Sequence, residues 1–181
     1  THYRTALAIE RELANAHAVA IQLNNIGALL RVQRDSAAAL RVLQEGAEHC
    51  SAHGLTQMQP YFSLNLGLME LDRGLLAAAG THLQRARDLS RATAQLELEL
   101  SAELGLAHVE ILQGDPGACG RLAHVASRAR ERQFKGLLVD TAFYVGLQEK
   151  AAGHVDRAAA ILLTCAGHPA DERAAVVVAP L

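Results

Sequence analysis

Leu23-Asn24-Asn25-Ile26-Gly27 is followed by Asp35 and by Ala38-Ala39-Leu40, and the phrase returns as Leu64-Asn65-Leu66-Gly67, Gly74 and Ala78-Ala79. Gly27 and Gly67 stand 40 residues apart, as do Ala39 and Ala79. A fixed period of this length marks an array in which one supersecondary unit recurs. Three sets of positions extend the register. Small residues inside one helix fall at Gly27, Gly67, Ala107 and Gly146. Small residues early in the next helix fall at Ala39, Ala79, Cys119 and Ala158, and late in it at Ala6, Gly46, Ala86, Ala126 and Cys165. Larger apolar residues precede the late set by three positions, at Tyr3, Leu43, Leu83 and Leu162, with Ala123 the weak member. Each set shortens from 40 to 39 at its last step, which places one missing residue between Ala126 and Gly146.

The pattern predicts a stack of helical hairpins. The first helix of each presents a small residue where the second crosses it closely. The second presents one small residue to its own partner and another to the next hairpin. Turn signals between the two recur at Arg34-Asp35, Arg73-Gly74, Gly114-Asp115-Pro116 and Gly153-His154. The last two put Gly just past a helix end, and Pro116 stands where a new helix begins. Helices are expected at 1–13, 16–33, 36–53, 57–72, 76–92, 95–112, 116–132, 135–151 and 155–166. A terminal helix is expected at 169–179, after the break at His168-Pro169.

Composition agrees. Half of the 181 residues are apolar, yet aromatics make up 3% and Trp is absent. Ala and Leu therefore fill the core, which favours close helix–helix packing. Four Pro and few β-branched runs leave helix as the default. A net charge of −2 carries no footprint for nucleic acid and no polybasic membrane signal. No apolar run approaches the roughly 20 residues needed to span a bilayer. Three cysteines, Cys50, Cys119 and Cys165, lack metal-type spacing and point to a reducing, cytoplasmic setting.

The small residues at these offsets, with Asn-Asn-x-Gly and a Gly/Asp turn, resemble tetratricopeptide repeats. Gly27, Ala39, Gly67, Gly74, Ala79, Ala86, Gly114, Gly153 and Ala158 carry the likeness over nearly the whole chain. A period near 40 also fits armadillo or HEAT arrays, but the Gly/Ala offsets favour the tetratricopeptide reading. Ala-Leu-Ala-Ile-Glu-Arg-Glu-Leu at 6–13 and Leu-Asn-Asn-Ile-Gly at 23–27 resemble the long repeats of bacterial signalling ATPases, including LuxR-type and SARP-type transcription regulators. Arg34 departs from the usual turn Gly, as do Ala107 and Cys119 from the commoner Gly and Ala.

The resemblance implies an all-α, right-handed α-solenoid of antiparallel hairpins in a single domain over 1–181. Its parts are a half repeat at 1–15, repeats at about 16–55, 56–94, 95–133 and 134–167, and a cap at 168–181. The unpaired opening helix, with Tyr3 and Ala6, predicts preceding repeats or a partner covering 1–13, self-association included. The first helices of such arrays line a concave groove. Its expected lining comprises Asn24, Asn25, Arg31, Tyr61, Leu64, Asn65, Leu68, Leu104, His108, Phe143, Tyr144 and Leu147. Asn25 and Asn65 share the phase at which peptide-binding relatives hold a ligand's main chain, for which an amide offers both donor and acceptor. The apolar middle of the groove suits a peptide, an amphipathic helix or another domain of the same protein.

Reactive chemistry is sparse. His49, Cys50 and His53 cluster, but no third ligand with matching geometry is spelled out. Cys119 and Cys165 read as buried small hydrophobes, and Glu97, Glu99, Glu103 and Glu110 as a solvated helix face. No nucleophile elbow, phosphate loop or dinucleotide fingerprint occurs. The expectation is a non-catalytic binding scaffold without cofactor or metal, part of a bacterial signalling or transcription regulator. The alternative is a sensor module that binds a small effector and controls oligomerisation of such a regulator.

Overall fold

The structure is a computed structural model that describes residues 2–166, with side chains through 163. The expected terminal helix and cap lie outside the described residues, as does the side chain of Cys165. Among the described residues all regular structure is helical: α1 (His2–Glu12), α2 (Ala16–Val32), α3 (Ser36–Ala52), α4 (Gln59–Asp72), α5 (Leu76–Ala92), α6 (Leu96–Gln113), α7 (Gly117–Glu131), α8 (Lys135–Ala151) and α9 (Val155–Ala166). No helix among them is long and apolar enough to cross a membrane. The chain forms two compact units, Thr1–Ala102 and Glu103–Leu181, whose boundary falls within α6. In the first unit each of α1 to α5 packs on its neighbour in sequence, and α2 also meets α4. In the second, α7 packs on α8 and α8 on α9.

Every connection ends its helix in the same way. One residue enters the left-handed region: Ala14, Arg34, Gly54, Gly74, Ala94, Gly114, Gln133 and Gly153, at φ between 53° and 84°. The next residue then donates its N–H to the carbonyl five positions back, as in Asp35 to Leu30 at 3.0 Å and Leu75 to Glu70 at 2.9 Å. This is the Schellman arrangement, which satisfies carbonyls orphaned at a helix end. The turns expected between hairpin partners are present. Equivalent turns between successive hairpins, at Ala14, Gly54, Ala94 and Gln133, left little trace in the sequence because three of the four lack glycine.

The hairpins close on leucine and glycine. A Cβ built on Gly67 would stand 2.6 Å from Leu83 Cγ, and one on Gly146 2.9 Å from Leu162 Cδ2. One on Gly27 would overlap Leu43. Between hairpins, Gly46 of α3 lies against the ring of Phe62 in α4, which is fully buried. Both roles expected of small residues are thus occupied.

One register expectation is overturned. In α7 the buried residues are Ala118, Leu122, Val125 and Ala129, whereas Cys119 and Ala123 are exposed. The short connection therefore lies between Gly114 and Ala118, upstream of the place expected. Helices α2, α3, α5, α6, α8 and α9 open with an i to i−4 bond, as from Ala39 N–H to the Asp35 carbonyl at 2.9 Å. At α7 the first bond is i to i−3, from Ala118 to Asp115 at 3.4 Å, while Asp115 Oδ1 accepts from Gly117 N–H at 2.8 Å. Pro116 occupies the N-cap and sets its φ at −65°. The tightened turn removes one residue, so Ala118 takes the phase assigned to Cys119.

Three substitutions test this frame. Gly46→Ala should lower unfolding free energy by about 1–3 kcal/mol through overpacking against Phe62. Gly80→Ala, where an added Cβ meets nothing within 4 Å, should raise it by about 0.5–1 kcal/mol. Equal effects in urea titration would contradict the packing. Arg34 holds φ 60° without being glycine. Arg34→Gly should stabilise by about 0.5–1 kcal/mol, the left-handed penalty less glycine's extra unfolded-state entropy. A lower midpoint would count against the turn.

Candidate functional site

The expected groove residues fall in two sets, one in each unit. In the first unit α2 and α4 lie side by side. Asn65 does not project alone, because its Nδ2 donates to Asn24 Oδ1 at 2.8 Å in a half-buried setting. Two helical turns along, Arg31 Nη1 donates to Asp72 Oδ2 at 2.7 Å. Asn25 is half-buried, and its amide makes no hydrogen bond among the described residues. Tyr61 is 36% exposed and Leu68 half-buried.

Leu64 is buried, and so are Leu104 and Phe143 in the second unit. All three hold the phase of Asn24, one position before that of Asn25. A step of one residue turns a helix by about 100°, which carries this phase off the open face and into the packing. Asn24 shares that phase, and its pairing with Asn65 satisfies an amide placed where the other hairpins have apolar side chains.

In the second unit the His108 and Tyr144 rings meet at 5.1 Å, and Phe143 meets Tyr144 edge-on at 5.4 Å. Leu147 and Tyr144 pack against the buried pair Phe143 and Leu162. These aromatics form a cluster between α6 and α8 with only half-exposed edges.

The His49, Cys50 and His53 cluster is tied into the backbone. His49 Nε2–H donates to the Ala16 carbonyl at 2.8 Å, and His53 Nδ1–H to the His49 carbonyl at 2.9 Å. Cys50 is fully buried, and desolvation pushes its thiol up to about 11. Among the described residues no group of three His, Cys, Asp or Glu is arranged to hold a metal.

The expected solvated face of glutamates is corrected. Glu97 is exposed, but Glu99 pairs with Arg91 at 2.6 Å and Glu103 is buried. Arg121 of α7 reaches across to α6. Its Nε donates to both Glu110 oxygens at 3.0 Å, its Nη2 donates to Glu110 at 2.6 Å, and its Nη1 pairs with Glu103. The hydrogen bonds to Glu110 lead in raising the guanidinium pKa above its ordinary range. Glu103 and Glu110 lie seven residues apart on one helix face, and the register error in α7 concealed that Arg121 opposes them.

No protein-family model, no curated protein and no solved structure matches the chain.

Arg121→Met strands Glu103, whose side chain is 9% exposed. The loss should be about 2–3 kcal/mol, below the roughly 3–5 of a fully buried pair, because Arg121 retains some solvent. Adding Glu103→Leu should restore much of it. A double variant no more stable than the single one in denaturant titration would contradict the pairing.

Proposed function

We propose that the chain is a non-catalytic helical-repeat scaffold of the tetratricopeptide kind. It binds a protein or peptide segment on the face formed by the first helices of its hairpins, within a larger bacterial signalling or transcription regulator. The solenoid arrangement belongs to this proposal. Its support is the recurrence of one turn at 40-residue intervals, with left-handed residues at Ala14, Gly54 and Ala94 and again at Arg34, Gly74 and Gly114.

The observation that carries the binding role is Asn25. Its half-buried amide has no partner among the described residues, although the neighbouring Asn24 and Asn65 satisfy each other. A side-chain amide held at this spacing presents a donor and an acceptor to a ligand's main chain. Tyr61 and Leu68 on α4 offer apolar area beside it. The Asn24–Asn65 and Arg31–Asp72 pairs hold α2 and α4 together, so the face is preorganised and less ordering entropy opposes binding.

A random-peptide display library screened against the folded chain should enrich peptides that bind this face. Asn25→Ala and Leu68→Glu should each weaken such a peptide by about tenfold, or 1.4 kcal/mol, with unchanged circular dichroism. Peptides that bind both variants as tightly as the parent would overturn the site.

A further inference from the structure

The helix faces opposite the proposed peptide site hold a second feature. A cleft of about 380 Å3 lies between α3, α4 and α5, wholly within the first unit. Its origin is legible by comparing it with the place 40 residues earlier, between α1, α2 and α3. There Leu7, Val19, Leu23 and Ile26 are buried in one apolar cluster, with Val42 packed against it. Arg11 and Glu45 form an ion pair over the top. At the equivalent positions of the cleft, Leu7 becomes Ala47, Val19 becomes Gln59, Leu23 becomes Ser63 and Val42 becomes His82. Ile26 becomes Leu66, so the floor stays apolar. Arg11 becomes Ser51, too short to reach Arg85, which stands where Glu45 was.

These substitutions do more than remove volume. They line the cleft with polar side chains that have no partner among the described residues and face solvent. Arg85, His82, Gln59 and Glu48 make no hydrogen bond or ion pair among the described residues. Ser63 is only 6% exposed, lines the cleft and donates to nothing. The Ser63 hydroxyl opens onto the cleft and makes no hydrogen bond among the described residues, so it faces the cleft interior where Leu23 packs in the first hairpin. The charges are also sorted by wall. Glu48 stands on α3, and Arg85 and His82 on α5, with Gln59 and Ser63 on α4 between them.

We propose that this cleft binds a small zwitterion of the α-amino acid class. The ligand ammonium faces Glu48, its carboxylate meets Arg85 and His82, and Ser63 and Gln59 supply hydrogen bonds. A small apolar side chain lies on Ala47 and Leu66. An arginine fork suits a carboxylate, and opposed walls of unlike charge reject ligands that carry only one of the two groups. This site is independent of the peptide-binding reading and shares no residue with it.

The test is a titration of isotopically labelled full chain with each standard amino acid, and with acetate and methylammonium as single-charge probes, followed by amide chemical shifts. At least one amino acid should shift the amides around Ser63, His82 and Arg85, and both single-charge probes should bind at least about tenfold more weakly. Arg85→Gln and Glu48→Gln, both at exposed positions, should each cost about tenfold in affinity. Ser63→Leu restores the residue of the first hairpin and should abolish binding without loss of helix content. No shift with any amino acid, acetate matching the best amino acid, or unchanged affinity in Arg85→Gln would each overturn the proposal.

Discussion

Leu43, Leu83 and Leu162 each seat on a glycine sixteen residues earlier, at Gly27, Gly67 and Gly146. The contact is close enough that no side chain fits beneath the leucine. It depends on the left-handed turn between the two helices, because that turn fixes how far along its partner the second helix starts. Arg34, Gly74 and Gly153 all hold this conformation. The turn and the crossing therefore specify one another. Agreement between a local conformational choice and the global packing is what gives a sequence a single well-separated native basin.

Much of this was legible because glycine and alanine mark close approach wherever they recur in phase. Gly27, Ala39, Gly46, Gly67, Ala79 and Gly146 all lie buried where the period places them. Small exposed residues misled the same reading in α7. Ala123 and Cys119 resemble buried small residues in composition, and only the hydrogen bonding after Gly114 shows that helix α7 starts one residue early. Leu64, Leu104 and Phe143 were misplaced by a different cause. Periodicity gives a helix face to within a residue or so, and one residue separates the open face from the packing. The Asn24–Asn65 bond was invisible for a third reason: it joins side chains 41 residues apart, off the 40-residue period.

One phase of the repeat shows how a common frame accepts different chemistry. Where the first and second helices of a hairpin face each other, the first hairpin has Leu23 and Val42 in a shared apolar cluster. The next has Ser63 and His82 on an open cleft. In the second unit the phase holds Glu103 and Arg121, joined as an ion pair. An apolar pair stabilises through burial alone. A buried ion pair is stabilising only while both partners are present, since desolvation of each charge opposes it. An unpaired polar set on an open cleft does neither, and its groups stay hydrated. The first two cases keep the same 40-residue spacing, so the cleft is chiefly a departure in side chain, with α4 starting at Gln59, three residues later in register than α2 at Ala16.

Polar contacts between α2 and α4 perform a task that apolar packing cannot. Two helices with alanine- and leucine-rich faces have several axial offsets of similar burial. The Asn24–Asn65 and Arg31–Asp72 bonds recur seven residues apart, which is about 10.5 Å along a helix axis. A slide of one residue, about 1.5 Å, carries both pairs out of hydrogen-bond geometry together. The lost amide bond leaves a half-buried donor and acceptor unsatisfied, at a cost near that of any unmade bond in a partly dry setting. Registry is therefore held at two points by directional bonds, while Phe62 against Gly46 holds α4 against α3. Asn25 is positioned by this arrangement but takes no part in it, so its removal should leave the alignment of the helices intact.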